Sequence, residues 1–419
     1  MDTLILHGDI VFSKSAEELT VLENAYLVAQ NGFVVGLFDK LPEHYAGAEI
    51  QDYGRGLIIP AFSDLHIHAS QYVQRGIGMD KLLFDWLNDY TFPQEARFAD
   101  MDYAKAVYDR VVEDFVRHGS FHSSVFTTIH YEASSYLYEA MEKKGLYGYV
   151  GKVNMDRNSP DYLCESTETS LRDTERFLIE HSGGRTVKPI LTPRFAPTCS
   201  EDLLCGLGKL GEKYGVGVQT HLCESLAEVD WTLELFPDYK ADGEIYERCG
   251  LLGNGPSVFA HVIFPSETDL DILSRHGGVS VHCPDATCNI IAGIMPACNM
   301  LSSGQRLAIG SDVGAGSAVP VYRQIASAVR HSKIKEFYQP ENKKLSFSQA
   351  FYMGTKGGGS IFDRVGSLEA GYRLNALVLD GLDDEVCTLS AVERLERFCY
   401  TGDDRNIVDR WLDGKRICI

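Results

Sequence analysis

Positive charge is scarce in this chain: 39 basic residues face 59 acidic ones, leaving a formal net charge of −20 with the histidines neutral. A surface of that sign repels phosphate backbones and anionic lipid, and no basic stripe interleaved with aromatics offsets it. Both a nucleic acid polymer and a membrane are therefore disfavoured as partners. Long apolar runs are missing too. No stretch can cross a bilayer and Met1-Asp2-Thr3 opens without a basic leader, so a cytoplasmic location is expected. Paired cysteines are the third absence. Eleven cysteines (Cys164, Cys199, Cys205, Cys223, Cys249, Cys283, Cys288, Cys298, Cys387, Cys399 and Cys418) stand singly, with no Cys-x-x-Cys and an odd total. That pattern argues against a disulfide framework or a thiolate zinc knuckle and for reduced, mostly buried thiols. Cys223 and Cys283 fall near the candidate site described below, and packing is their expected role, because a nucleophilic thiol needs its own base.

What is present is a long chain of ordinary apolar content. With 419 residues, 44% of them hydrophobic, it can bury a large core, and it is long enough for one big domain with a smaller one. Residues 1–59 read as short strands. Leu4-Ile5-Leu6 and Ile10-Val11-Phe12 flank His7-Gly8-Asp9, and Ala25 to Ala29 faces Phe33 to Leu37 across a Gln30-Asn31-Gly32 turn. Residues 371–419 return to that style with Ala376 to Asp380 and an Asp413-Gly414 turn, so both termini are expected to build one small β-sandwich domain. Between them, residues 60–370 alternate apolar strands with amphipathic helices. From Tyr103 to His118 the residues Ala104, Val107, Tyr108, Val111, Val112 and Phe115 recur at helical spacing and stop at Gly119, while Ser200 and Ser266 are placed to cap two later helices. Strand candidates lie near 62–66, 121–127, 148–153, 189–193, 216–221, 258–261, 279–283 and 307–311. Eight such units make the class α/β and the architecture a (β/α)₈ TIM-type barrel.

Polar residues at the strand ends define the candidate site. His66 and His68, two apart on the first strand, project to the same side and can converge on one cation. Arg194, His221, His261 and Asp312 end strands four, five, six and eight, on the face where such barrels carry active sites. Imidazole nitrogens and a carboxylate suit a borderline cation such as Zn²⁺ or Fe²⁺. His66, His68, His221 and Asp312 are assigned as its ligands, with one position left for a water whose pKa the cation lowers. A two-metal site would need a bridging group, commonly a carboxylated lysine at the end of strand four; Arg194 stands there, so one cation per chain is expected. Without the barrel context, Asp312 ahead of Gly314 and Gly316 would read as a turn residue. His261 reads as a fourth ligand, a group that holds the metal-bound water, or a core histidine, and the second is preferred. Glu224, three residues after His221, is placed to shuttle protons, so Glu224, His261 and Asp312 form the candidate catalytic group.

These residues, in this order, resemble the amidohydrolase superfamily and, within it, the guanine deaminase family. The resemblance rests on His66-Ile67-His68-Ala69-Ser70-Gln71-Tyr72, Trp86-Leu87-Asn88-Asp89-Tyr90-Thr91-Phe92-Pro93, Pro193-Arg194-Phe195, His221-Leu222-Cys223-Glu224-Ser225 and the tail from Glu396 to Ile407. It spans nearly the whole chain. It implies hydrolytic deamination of guanine to xanthine and ammonia by metal-activated water, zinc being the usual cation, in a homodimer serving purine catabolism. It also implies that Gln71 and Arg194 bind the purine's polar edge, that Phe195 packs on its ring, and that Glu224 transfers a proton at a ring nitrogen. An uncharged heterocycle does need an aromatic face and a few fixed donors. Alternatives are a related aminohydrolase acting on another aminopurine, a pterin or a triazine, or a purine-binding barrel without catalysis.

The chain departs from the family after strand seven. Where a Cys-Pro-x-Ser-Asn run is usual it has Cys283-Pro284-Asp285-Ala286-Thr287-Cys288-Asn289. Either Asp285 lines the pocket and tunes specificity, or it points away from it.

Overall fold

The computed structural model describes residues 3–383, 386 and 388–419; Met1, Asp2 and Cys387, noted above, lie outside the described residues. Strands from both ends of the chain form one mixed seven-stranded sheet. Its order is Lys415–Arg416, Ile407–Leu412, Ala376–Leu379, Ile50–Pro60, Thr3–Ser13, Leu19–Gln30 and Phe33–Phe38. The expected Asn31-Gly32 turn is present, with φ of 51° and 84° at its two residues, the left-handed values a tight hairpin needs. Two expectations change here. Thr3–Ser13 is one continuous strand with an irregularity between Gly8 and Ile10, not two strands around a turn. Asp9 explains this: its buried carboxylate accepts the Asn24 N–H at 2.7 Å and pairs with the Arg394 guanidinium, which keeps the backbone extended. Nor do two separate sheets face each other as in a sandwich. The single sheet curls until its last strand meets the segment entering Ala376–Leu379, with the Val34 N–H donating to the Tyr372 carbonyl at 2.8 Å and the Leu374 N–H to that of Gly32 at 2.8 Å. Leu6, Ile10, Leu27, Ile58, Leu374 and Val378 fill the space this encloses.

The parallel strands of the middle region follow in the expected order. Phe62–His68, Ser120–Phe126, Tyr147–Gly151 and Val187–Pro189 form one ladder; Val153–Asn154 and Thr192–Pro193 a short second one; Val218–Leu222, Ser257–His261, Val279–His282 and Arg306–Ile309 a third. Hydrogen bonding does not run unbroken around the ring. The gaps are spanned by isolated contacts: a parallel bridge from Leu191 to Val218, and at the other seam the Asp312 N–H to the His66 carbonyl and the His68 N–H to that of Val313, both 2.8 Å. The fourth strand is split because Pro189 and Pro193 each lack a ladder donor.

Helices cover this ring as their apolar spacing requires. Met101–His118 is capped by Asp100, whose carboxylate accepts from the Asp102 N–H, buries Ala104, Val107, Tyr108, Val111, Val112 and Phe115, and stops at Gly119 with φ 75°. Ser200 and Ser266 cap Glu201–Tyr214 and Glu267–Arg275 as expected. The cysteine expectation needs one correction: Cys205, on the first of these helices, is disulfide-bonded to Cys249, which ends the helix Asp242–Arg248, with Cα atoms 4.2 Å apart. The packing of those two helices brings the pair together. Among the described residues no helix is long and apolar enough to cross a membrane.

Candidate active site at the carboxyl ends of the strands

His66 and His68 lie at the carboxyl end of a strand buried at every residue, and their rings meet edge to face with centroids 4.9 Å apart. His221, from Val218–Leu222, brings its ring to 4.8 Å from His66 and its Nε2 to 3.1 Å from His68 Nε2. Its Nδ1 lies 2.5 Å from the Arg194 carbonyl oxygen, so Nδ1 carries the proton and Nε2 presents a lone pair inward. Asp312 Oδ1 stands 3.2 Å from His66 Nε2 and 3.7 Å from His68 Nε2. His261 Nε2 lies 3.5 Å from Glu224 Oε1 and 3.9 Å from Asp312 Oδ2. All six of these side chains are buried.

The donor set suits one small cation. His66 Nε2 is buried and has no hydrogen-bond partner. The opposed Nε2 atoms of His68 and His221 cannot both donate, and a cation between them resolves the conflict. Nitrogen ligands about 2.0–2.1 Å from a tetrahedral zinc stand about 3.3 Å apart, close to the spacings found here. Burial pushes His66 down to about 3 and holds His68, His221 and His261 well below the usual imidazole range, so the rings are neutral and their lone pairs available. His66, His68 and His221 form one group able to hold a metal, and His66, His261 and Asp312 another that shares His66. His261 therefore remains close enough to be a ligand or to hold a water.

Backbone conformation contributes to this aim. Cys223, His261 and Asp312 adopt φ of 52°, 74° and 47°, left-handed values that cost a non-glycine residue about 1–3 kcal/mol and cluster at functional sites. The Cys223 and Cys283 thiols are buried and pushed well up by burial, consistent with packing.

Beside the histidines a small cavity, open to solvent, is lined by Gln71, Trp86, Arg194, Phe195, Glu224 and Asp312, among others. Every residue singled out from the sequence for substrate contact is thus present on one wall or another. Phe195 is only half-buried, and its ring stacks edgewise toward Trp231, centroids 6.1 Å apart. One functional side chain escaped the sequence reading. Glu95, buried, accepts from Arg194 Nη1 at 2.7 Å and from Gln71 Nε2 at 2.9 Å, while Gln71 Oε1 accepts the Gly314 N–H at 3.2 Å. A charged residue two positions past Pro93, just beyond the Trp86–Pro93 segment singled out above, was the available signal. Asp285 does not line the cavity: its Oδ2 accepts from the Ser317 N–H at 3.0 Å and from the Ser317 hydroxyl at 2.5 Å.

The chain is similar to known proteins over most of its length. The amidohydrolase family profile matches residues 57–417. The guanine deaminase of Dictyostelium discoideum is 34% identical over 380 residues, covering 87% of this chain and 83% of that one, and that of Escherichia coli (strain K12) is 32% identical over 379 residues, covering 88% and 84%. A crystal structure of guanine deaminase from C. acetobutylicum with guanine bound in its active site superposes with a TM-score of 0.97 at 42% identity, covering all of both chains. An adenosine deaminase from Xanthomonas campestris with bound zinc shares the fold at 18% identity and a TM-score of 0.81, covering 99% of this chain and 92% of that one.

Proposed function

Because the chain belongs to the amidohydrolase family, we propose that it removes the exocyclic amine of guanine by hydrolysis, giving xanthine and ammonia. The observation that carries this reading is the pairing of a four-histidine, one-aspartate cluster with a cavity whose polar wall, Gln71 and Arg194 held from behind by Glu95, matches the needs of a neutral purine. The likeness to a guanine-bound guanine deaminase at 42% identity supports it.

His66, His68, His221 and Asp312 would hold one zinc, or iron(II), per chain. When bound, such a cation would lower the pKa of a water toward neutrality and so supply the nucleophile. The remaining chemistry belongs to side chains. Burial, with the Asp312 charge nearby, holds Glu224 well above the ordinary carboxylate range, so it keeps a proton to give to the ring nitrogen beside the amine-bearing carbon. It then takes a proton from the attacking water and passes it to the departing amine, and it regains its own proton from the hydroxyl left on that carbon as the carbonyl of xanthine forms. His261, 3.5 Å from Glu224 Oε1, orients that water. Phe195 supplies the ring face, and Gln71 and Arg194, held by Glu95, supply donors to the purine's carbonyl edge. The barrel, residues 60–370, carries all of these groups, while residues 1–59 and 371–419 form the small β unit. Assembly as a homodimer in the cytoplasm completes the reading. A screen of guanine, adenine, 8-oxoguanine, thioguanine, pterin and cytosine for ammonia release tests it: guanine must rank first, and release from another base alone would overturn the assignment.

A further inference from the structure

Behind Glu224, on the side away from the cavity, lies a set of buried carboxyl groups that the reaction itself does not use. Glu228 Oε2 accepts the backbone N–H of Glu224 at 2.6 Å and that of Ser225 at 3.3 Å. Asp242 Oδ2 accepts the N–H of Cys223 at 3.3 Å. Asp269 in turn accepts the Gly243 N–H at 2.7 Å, beside Asp242. These bonds converge on the turn where Cys223 takes its left-handed backbone, φ 52°, immediately before Glu224. Glu228 and Asp242 are 1% and 2% exposed, and the second oxygen of each, Glu228 Oε1 and Asp242 Oδ1, has no hydrogen-bond partner.

We propose that Glu228 and Asp242 are positioning residues for Glu224, holding the Cys223–Ser225 backbone in the strained turn that aims its carboxyl at His261 and the cavity. The inference rests on Glu224 being the proton carrier of the proposed reaction. Hydrogen bonds from backbone N–H groups to buried carboxyl oxygens are directional, and without them the turn is free to relax to an ordinary conformation. Around Glu228 and Asp242 stand Glu224 and Cys223 on the turn, Tyr246 on Asp242–Arg248, and, beside Asp242, Asp269 on Glu267–Arg275; none of these is cationic. Burial and mutual repulsion push both Glu228 and Asp242 upward, so the pair keeps a proton at neutral pH.

The test compares Glu228→Ala, Glu228→Gln and Asp242→Asn with Glu224→Gln in the metal-loaded enzyme, reading kcat and KM for guanine, bound metal and the pH profile of kcat. A misplaced reacting group typically costs about 10²-fold. Glu228→Ala is therefore expected to lower kcat about 10- to 100-fold, with bound metal unchanged and KM within about threefold. Glu228→Gln keeps an oxygen for the two N–H groups and an amide that imitates the proton, so it is expected to restore most of kcat and to carry activity to higher pH than the wild type. A role in mere stability would not move that alkaline limb. Should Glu228→Ala not fold, Glu228→Gln and Asp242→Asn still carry the pH test. Wild-type kcat in Glu228→Ala, or an unmoved alkaline limb in both amide variants, overturns the proposal. If Glu224→Gln is itself fully active, the reading of Glu224 has failed; if it collapses while Glu228→Ala does not, only the positioning role has.

Discussion

Replacing Glu95 by alanine separates substrate binding from catalysis. The carboxylate holds Arg194 Nη1 at 2.7 Å and Gln71 Nε2 at 2.9 Å, and its removal leaves a guanidinium only 4% exposed without its partner. Breaking a buried ion pair from one side costs about 3–5 kcal/mol, so the unfolding midpoint should fall. The effect on turnover follows from what is no longer held. A hydrogen bond involving a charged group is worth about 1.5–3 kcal/mol, and loss of one such contact to substrate lowers kcat/KM about 10- to 150-fold at about 1.4 kcal/mol per decade. Most of that loss should fall on KM, because Glu95 touches neither the histidines nor Glu224. Glu95→Gln can still accept from one of its two donors and should lie between. Xanthine formation followed by ultraviolet absorbance, at a temperature where all variants are folded, gives the constants. A kcat/KM for Glu95→Ala within about twofold of wild type would show that the Gln71–Glu95–Arg194 array is structural and that the purine's edge is read elsewhere.

Replacing His221 or Asp312 by alanine should lower bound metal and abolish ammonia release, and metal analysis of the purified variants decides whether each is a ligand. Glu224→Gln should bind guanine and turn it over about 10²- to 10⁴-fold more slowly, the usual cost of a lost general acid or base; calorimetric binding beside single-turnover rates separates the two. Glu228 carries a pH signature in stability: its folded pKa is raised above its unfolded one, so the unfolded state binds fewer protons and stability falls as pH rises from the ordinary carboxylate range. Glu228→Gln lacks that loss, so its melting temperature relative to wild type should climb between about pH 5 and pH 9, and a constant difference would refute the shift. Ala286→Ser with Thr287→Asn should leave the ratio of kcat/KM values across guanine analogues unchanged, because Thr287 bonds back to the Cys283 carbonyl at 3.1 Å and Asp285 is tied to Ser317.

Local signals made much of this molecule legible. Alternation placed His66 and His68 on one face of a strand, and the apolar spacing from Ala104 to Phe115 with Gly119 behind it marked a helix and its end. The ends of the strands then located His221, His261 and Asp312, since strand direction alone decides which end of a parallel barrel faces the substrate. The breaks in the ladder were visible in part: two prolines in the fourth strand announce missing donors. Asp9 was the instructive miss in the small β unit, because His7-Gly8-Asp9 has turn composition. Only its pairing with Arg394, far along the chain, shows why the strand runs on.

The groups that orient the site, as opposed to those that form it, share that difficulty. Glu95 reaches Arg194 from 99 residues earlier in the chain, Asp242 reaches the Cys223 turn from another helix, and Cys205 meets Cys249 through helix packing. Each is defined by a partner distant in sequence, and a single acidic or sulfur side chain has no periodicity to betray it. Glu228 is the exception that shows the rule. Ser225-x-x-Glu228 is a capping-box pattern, and the box does form. Yet the pattern predicts an exposed helix start, whereas here the same carboxyl is buried and its strongest bond goes to the Glu224 N–H, one residue before the cap. A motif whose ordinary purpose is to begin a helix has been placed beneath the proton-carrying turn. What it does there depends on the three-dimensional burial around it, which no local pattern encodes.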